Sequence, residues 1–327
     1  MSSDHGSLSI PLNAKNDILV NRFLDSKNNH LFNEPKYFNL HSSDQDDLYI
    51  QLVRKKDAVV CATVAFFKES TEQYVSPLRG TFGGISINHE VDLAVLDEFI
   101  RKVISILSSK QARAISIELP PASHNLSAFS LMYNILARQG FSITSNELNY
   151  DMLINSEKFI DRIMYGSRKR IKKCLNNGFI AEQLKPSQYA DAFSVIKENR
   201  TRKGFPLSMS YHQLQEMFKL FPDKFHVFGV FTSLDRTTLA AAAICIVVSQ
   251  DILYVFYWGD ANGMTSYSPV VLLAQEIYQY CQEHKINILD VGTSTINGEP
   301  NYGLIRFKKN LGFNESLKVT LRYTEEQ

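Results

Sequence analysis

The sequence has few of the residues that interrupt or cross-link a chain. Of its 327 residues only 15 are glycine and 10 are proline. This scarcity argues against low-complexity or long flexible segments and favours regular helices and strands joined by short loops. The four cysteines are far apart and are interpreted as small buried side chains, because zinc and redox motifs need short spacings. They are Cys61, Cys174, Cys245 and Cys281.

Neither an excess of one charge nor a long apolar run is present. Lys and Arg number 35 against 34 for Asp and Glu, so no general field attracts DNA or an anionic surface, and any anion site must be local. The longest apolar run, residues 239–248, has ten residues, whereas a spanning helix needs about 20. The start of the chain resembles no signal peptide. We therefore expect a cytoplasmic protein without a transmembrane segment.

An internal repeat predicts two domains of one fold. A short apolar strand at 115–120 leads to a Gly-Phe pair ending at Phe141, and a similar strand at 286–292 leads to one ending at Phe313. Glu118 precedes Gly140 by 22 residues and Asp290 precedes Gly312 by 22, so the copies align without a gap at an offset of 172. Each Gly is expected to end a helix in the left-handed conformation.

Each repeat follows the same series of predicted elements. Amphipathic helices over 93–108 and 269–284 precede the two short strands. Further upstream lie predicted antiparallel strands, at 48–53, 58–67 and 73–75 in the first copy and at 225–231, 239–248 and 252–258 in the second. This order predicts a mixed α/β (α+β) fold with helices on a mostly antiparallel sheet, in domains 1–153 and 154–327.

The join between the copies predicts one basic amphipathic helix over 158–176. Ile160, Met164, Ile171 and Leu175 share one face at 100° per residue. The opposite arc carries five cations within six residues: Arg168, Lys169, Arg170, Lys172 and Lys173. A solvated charged face and a local site for phosphates of a ligand or an RNA both fit this pattern.

Several segments together resemble the GNAT-fold acyltransferases. They lie at 165–179, 254–260, 268–273, 288–295 and 303–313, with a further first-copy segment at 76–84. The series is most similar to the branch with two tandem GNAT domains that includes the Fem-type aminoacyl-tRNA-dependent peptidoglycan transferases and related uncharacterised acetyltransferases. The resemblance implies transfer of an acyl group from a thioester (acyl-CoA) donor to an amine acceptor.

In this fold two parallel strands splay apart and the acyl donor enters between them. The resemblance assigns the splay to 252–258 and 288–291, with the donor phosphates at the start of the helix near Ser268-Pro269. The implied donor-binding residues are Tyr254, Trp258, Gly259, Gly263 and Ser268. The loop departs from the usual basic, glycine-rich pattern of acetyl-CoA enzymes, since it contains Asp260 and one suitably placed glycine. Aminoacyl-tRNA therefore stays open as the donor, with Arg168 and Lys172 as tRNA contacts.

Acyl transfer to an amine needs a base that takes a proton from the ammonium, a hydrogen-bond donor that stabilises the oxyanion, and an acid that protonates the leaving group. Asp290 ends a buried strand at the splay and is a candidate base, although a helix-capping or hydrogen-bonded structural role also fits. Tyr257 and Tyr302 are candidate proton donors, or core residues. Lys308 is a candidate contact for an acyl or phosphate oxygen, although a place on a solvated helix face also fits. Because Leu136 takes its place in the first copy, we expect the second domain to be the active copy and the first to be non-catalytic.

The resemblance assigns the acceptor to a polar segment at 197–206, which we interpret as a loop. Its candidate binding residues are Glu198, Arg200, Arg202 and Lys203. No histidine pattern typical of metal sites occurs, so we expect no metal, and no hydrolase, Walker or Rossmann motif is present. Three hypotheses remain: an acyl-CoA N-acyltransferase, a Fem-type aminoacyl-tRNA-dependent transferase, and a degenerate GNAT pair that serves as a binding module.

Overall fold

The computed structural model describes residues 7–26, 29–88 and 90–325. They form two compact units: the first contains the chain up to Glu147 together with the residues from Leu317 onward, and the second runs from Leu148 to Ser316. The last strand therefore returns to the first unit. This connection was not predicted from the repeat, which placed one boundary after residue 153.

Strands and helices follow the predicted series closely. The strands are β1 (Leu8–Pro11), β2 (Asn16–Val20), β3 (Leu48–Arg54), β4 (Val59–Ser70), β5 (Gln73–Ser76), β6 (Ser86–Ile87), β7 (Ala114–Glu118), β8 (Ser142–Leu153), β9 (Ile180–Gln183), β10 (Phe225–Phe231), β11 (Leu239–Ser249), β12 (Ile252–Asp260), β13 (Ile288–Thr293), β14 (Thr295–Ile296), β15 (Glu299–Pro300) and β16 (Asn314–Thr324). The helices are α1 (Pro35–His41), α2 (Leu93–Ser109), α3 (Leu126–Arg138), α4 (Phe159–Arg162), α5 (Tyr165–Asn176), α6 (Tyr189–Arg202), α7 (Tyr211–Leu220), α8 (Val270–Glu283) and α9 (Tyr302–Asn310). None of the described helices is long and apolar enough to cross a membrane.

In the first unit the strand order is β1-β2-β3-β4-β5-β7-β16, with β6 beside β4. Only β5 and β7 pair in parallel among these registered pairs. The predicted helix at 93–108 is observed as α2. Its apolar stripe is buried, as the three-and-four spacing requires, and consists of Leu96, Phe99, Ile100, Val103 and Leu107.

In the second unit the order is β8-β13-β12-β11-β10-β9, and β12 with β13 is the parallel pair. The apolar strand β11 is buried along nearly its whole length, because α6 and α8 both pack on it. Each unit has its own apolar core. The predicted mixed fold of two α/β copies is therefore confirmed.

Glycines end the second helix of each copy as predicted. Gly140 follows α3 with φ +88° and Gly312 follows α9 with φ +82°. Only glycine adopts this left-handed conformation without strain, so the chain can turn there into β8 and β16.

The prediction of one continuous basic helix is wrong. Ile163 and Met164 are extended, and they separate α4 from α5. The break is stabilised from outside the helix, because the Met164 N–H donates to the carbonyl of Asn310 at 3.0 Å. On α5 the buried side chains are Ser167, Ile171 and Cys174.

Candidate functional site

The second unit contains a fork between two parallel strands. β12 and β13 form three registered pairs, from Ile252 with Ile288 to Tyr254 with Asp290. In the described ranges no registered pair joins these strands beyond that point. On its other edge, β13 pairs irregularly with β8 between Asp290 and Thr293. The strands thus part at Tyr254 and Asp290, where the splay was predicted.

The Asp290 carboxylate lies at the base of the fork and is fully buried. Its Oδ1 accepts hydrogen bonds from the Asn149 side-chain amide at 3.0 Å and from the Gly292 N–H at 2.7 Å. A buried carboxylate requires such donors, because burial without them is costly. Asp290 is therefore held in one orientation by β8 and by its own strand.

Lys308 reaches the same place from α9. Its side chain is only 1% exposed, and Nζ donates to the carbonyl oxygens of Gly292 and Thr293, both at 2.8 Å. The Tyr150 ring lies 5.5 Å from Nζ. Burial lowers the pKa of Lys308 to about 7, although the Asp290 carboxylate acts in the opposite direction. An amine of this kind can gain or lose a proton near neutral pH.

Gly292 is fixed between these two charged groups. Its N–H is bound by Asp290 and its carbonyl by Lys308, while its backbone has φ +74°. A Cβ at this position would lie 3.4 Å from the Tyr254 hydroxyl oxygen. Asp290 and Lys308 therefore hold a left-handed kink at the point where the strands part.

One side of β12 is covered by α6 and the segment after it. The Tyr257 hydroxyl oxygen accepts from the N–H groups of Ser208 at 3.0 Å and Met209 at 3.2 Å. The Arg200 guanidinium lies 5.2 Å from the Tyr257 ring and donates to the Pro206 carbonyl. Burial lowers the pKa of Arg200, with nearby tyrosines opposing the change. The structure thus brings Arg200 and Tyr257 together.

The acceptor segment is helical, so its interpretation as a loop is wrong as far as Arg202. Glu198, Arg200 and Arg202 all lie in α6, and the chain turns only at Gly204, which has φ +74°. Glu198 is exposed.

The Asp260 side chain points into a cluster of groups that neutralise its charge. Its carboxylate accepts from Asn199, lies 3.4 Å from the Arg202 guanidinium and lies 3.8 Å from Lys203 Nζ. Gly259 permits this close approach of α6, because a Cβ at this position would lie only 2.7 Å from the Asn199 side chain. Two cations thus offset the charge of Asp260, the acidic residue by which this loop differs from the usual phosphate-binding pattern.

The loop between β12 and α8 lies against the basic helix α5. Lys173 Nζ donates to the Ser266 carbonyl at 2.8 Å and lies 4.6 Å from the Tyr267 ring. Helix α8 begins after Pro269, as predicted. Gly263 is exposed with φ +79°, and Ser268 has φ +53°. One cation of α5, Lys173, therefore lies near the amino end of α8.

The remaining sequence candidates lie further from the buried charges. Trp258 is half-buried and its ring lies 5.9 Å from that of Phe307. Tyr302 is 74% exposed at the start of α9, and within the described residues no hydrogen bond joins its hydroxyl to Asp290 or Lys308. Arg168 donates to backbone carbonyls at the end of α4, whereas Lys172 is exposed.

No protein-family model matches the sequence, and no curated protein matches it. Solved structures match over most of the chain. A structure of FemX has a TM-score of 0.69 at 14% identity and covers 92% of this chain and 94% of that chain. L-PGS from Bacillus licheniformis has a TM-score of 0.56 at 11% identity, with 86% of each chain covered. A tandem GNAT protein from the clavulanic acid biosynthesis pathway has a TM-score of 0.51 at 9% identity and covers 89% of this chain and 87% of that chain.

The chain has a tandem GNAT fold. The fold predicted from the sequence is thereby confirmed, together with its likeness to a Fem-type structure. At these identities the likeness concerns the fold, and the chemistry must be argued from the residues of each GNAT unit.

The first GNAT unit has a corresponding fork, but its own chain folds into it. β5 and β7 pair as far as Ser76 and Ile117. Beyond them the Gly83 N–H donates to the Glu118 carbonyl at 2.7 Å, and the Gly84 N–H donates to Ser76 Oγ at 2.9 Å. The segment 77–84 therefore takes hydrogen-bonding positions at the mouth of the fork.

The two GNAT units also treat their aligned carboxylates differently. Glu118 is paired with Lys318, a 5% exposed residue of β16, whereas Asp290 accepts from Asn149 of β8 and faces Lys308. Asn149 was missed by sequence reasoning. No local motif marks it, because it reaches Asp290 only through pairing of β8 with β13.

Proposed function

We propose that the second GNAT unit transfers an acyl group from a coenzyme A thioester to an amine. The observation that carries this proposal is the fork that opens after three strand pairs, with Asp290 and Lys308 buried at its base. The filled fork of the first unit supports its assignment as the non-catalytic copy.

The donor is assigned to the open side of β12 and the amino end of α8. Unpaired backbone groups of a parted strand can bind the amides of an extended acyl carrier, and a helix start favours its phosphates. Lys173 beside Ser266 supplies a cation near that helix start, and the cluster around Asp260 removes the acidic charge that would oppose phosphate binding. These contacts support coenzyme A although the usual basic loop is missing.

In the reaction, the amine nitrogen attacks the thioester carbonyl. A C–N bond forms, the C–S bond breaks, the ammonium loses a proton and the thiolate gains one. We assign the proton transfers of this reaction to Lys308 and Asp290, because a pKa of about 7 allows Lys308 to change protonation state near neutral pH. The acceptor approaches along α6, where Arg200 and Tyr257 lie together.

The Gly292 kink provides a direct test of donor binding. Gly292→Ala places a Cβ beside the Tyr254 hydroxyl and strains a left-handed residue, which costs about 1 kcal/mol of stability. We expect calorimetric titration to show coenzyme A and acetyl-CoA binding to the wild type, and binding at least about tenfold weaker in the variant because the fork is altered.

Gly178→Ala is the matched control. Gly178 has φ +78°, and a Cβ at this position would have nothing within 4 Å, so this change adds the same backbone strain without touching the fork. We expect it to lose similar stability and to keep full affinity. A dissociation constant of about 1 mM corresponds to a binding free energy of about −4 kcal/mol. If the wild type shows no coenzyme A binding at about millimolar concentration, the thioester proposal is contradicted and a binding module is favoured.

A further inference from the structure

Helix α5 exposes apolar side chains that an amphipathic helix ordinarily buries. Met164, at its N-cap, is 61% exposed and Leu175 is 52% exposed, although the sequence pattern placed both on the buried face with Ile171. Tyr165, its first residue, is 69% exposed. The second core uses Ile171 and Cys174 and leaves these three side chains at the surface. A surface helix with uncovered aliphatic groups can bury them only against a partner.

Cations occupy the rest of the exposed face. At 100° per residue, the centre of this exposed face carries Tyr165, Lys169 and Lys172. One edge of the same face carries Met164 and Leu175. Within the described ranges none of the five cations of α5 forms an ion pair with a carboxylate. Arg168 and Lys173 are held by backbone carbonyls, and Lys169 lies 4.6 Å from the Tyr165 ring. The surface is therefore both positively charged and partly aliphatic.

We propose that this face of α5 docks on an anionic lipid surface. Anionic headgroups neutralise these cations, and the headgroup–acyl boundary accepts Met164, Tyr165 and Leu175. RNA would satisfy the cations but offers no environment for the aliphatic edge formed by Met164 and Leu175. The combination of charge and aliphatic exposure selects a membrane over a nucleic acid. Lys173 is left out of the tests of this docking, because the acyl-transfer proposal places it near the donor phosphates.

Vesicle co-sedimentation of the full chain tests the charge contribution. We expect binding to phosphatidylcholine vesicles that contain about 30% phosphatidylglycerol and no binding to pure phosphatidylcholine. Lys169→Glu/Lys172→Glu reverses two exposed cations, so we expect binding about a hundredfold weaker. Lys36→Glu/Lys56→Glu changes the net charge equally at exposed positions of the first unit and should bind as the wild type.

A second variant separates lipid from RNA. Met164→Ser/Leu175→Ser keeps every cation but removes the aliphatic edge, so vesicle binding should fall about tenfold. Binding of an unfractionated tRNA preparation, measured in parallel at about 50 mM and about 200 mM salt, should be weak and unaffected by this variant. Vesicle binding that is unchanged in both double variants overturns the proposal, as does tight tRNA binding that is lost only with Lys169 and Lys172. Circular dichroism of each variant checks that the chain stays folded.

Discussion

Asp290→Ala lowers the free energy of unfolding by about 3–5 kcal/mol, as expected when one partner of a buried charged cluster is removed. The change leaves the N–H of Gly292 and the amide of Asn149 without this acceptor. It also removes the carboxylate whose charge raises the pKa of Lys308 and partly offsets the effect of burial. Urea denaturation followed by circular dichroism measures the loss.

The coupling between the two charges is measurable in a double-mutant cycle. We expect Asp290→Ala/Lys308→Met to cost less than the two single changes together, by about 1–3 kcal/mol, because each single variant leaves one buried ionisable group without its partner. Strict additivity would show that the two groups do not interact. The neighbouring pair Lys309 and Glu315 is the control, since both side chains are about half exposed and their coupling should stay below about 1 kcal/mol.

The second large effect is a pH dependence that belongs to Lys308. Below about pH 7 the amine is protonated in both the folded and the unfolded chain, and the cost of burying its charge is fully present. From there to about pH 10 the unfolded chain keeps this proton while the folded chain has released it, so stability rises with pH. The gain from this one group is about 3 kcal/mol over that range.

The difference in unfolding free energy between the wild type and Lys308→Met isolates this effect. Titrations of cysteines and tyrosines are common to both proteins and cancel in the difference. We expect the wild type to gain on the variant by about 3 kcal/mol between about pH 7 and pH 10. A difference that stays flat over this range would mean that Lys308 keeps its proton, held by Asp290 and by the carbonyls of Gly292 and Thr293.

The aligned carboxylates of the two repeat copies, Glu118 and Asp290, have different surroundings. Glu118 is paired with a lysine of β16, and the segment 77–84 bonds to the end of its strand. Asp290 instead lies beside a lysine with a pKa of about 7, at a fork without such a segment. Glu118 is engaged in an ion pair with Lys318, whereas a buried lysine with a lowered pKa, such as Lys308, is suited to proton transfer. This contrast supports assigning the chemistry to the second unit.

Much of the fold follows from periodicity in the sequence. The repeat at an offset of 172 predicted two copies, and α2 and α8 appeared where apolar residues recur at helical spacing. The predictions that failed concern local competition between conformations. The continuous helix over 158–176 is interrupted because the carbonyl of Asn310, distant in sequence, binds the Met164 N–H. The polar segment at 197–202 is helical because α6 packs on β11 and β12.

For the candidate site, the contrast between the two copies of the repeat suggested Lys308, while the resemblance and the needs of acyl transfer suggested Asp290, Tyr254, Tyr257 and Arg200. Their roles in the reaction stay predictions. It did not identify Asn149, the kink at Gly292 or the neutralisation of Asp260 by Arg202 and Lys203. These features depend on hydrogen bonds between strands and helices that are far apart in the chain.

By itself the sequence determined the fold class and the repeat, because local propensity and hydrophobic period act over a few neighbouring residues. The position of the fork came from the resemblance to GNAT-fold enzymes. Only the tertiary structure decided which charges are buried, which are paired and which remain exposed. Desolvation and ion pairing depend on every group that surrounds a side chain in space, so the lowered pKa of Lys308 and the uncovered edge of α5 could not be read from spacing alone.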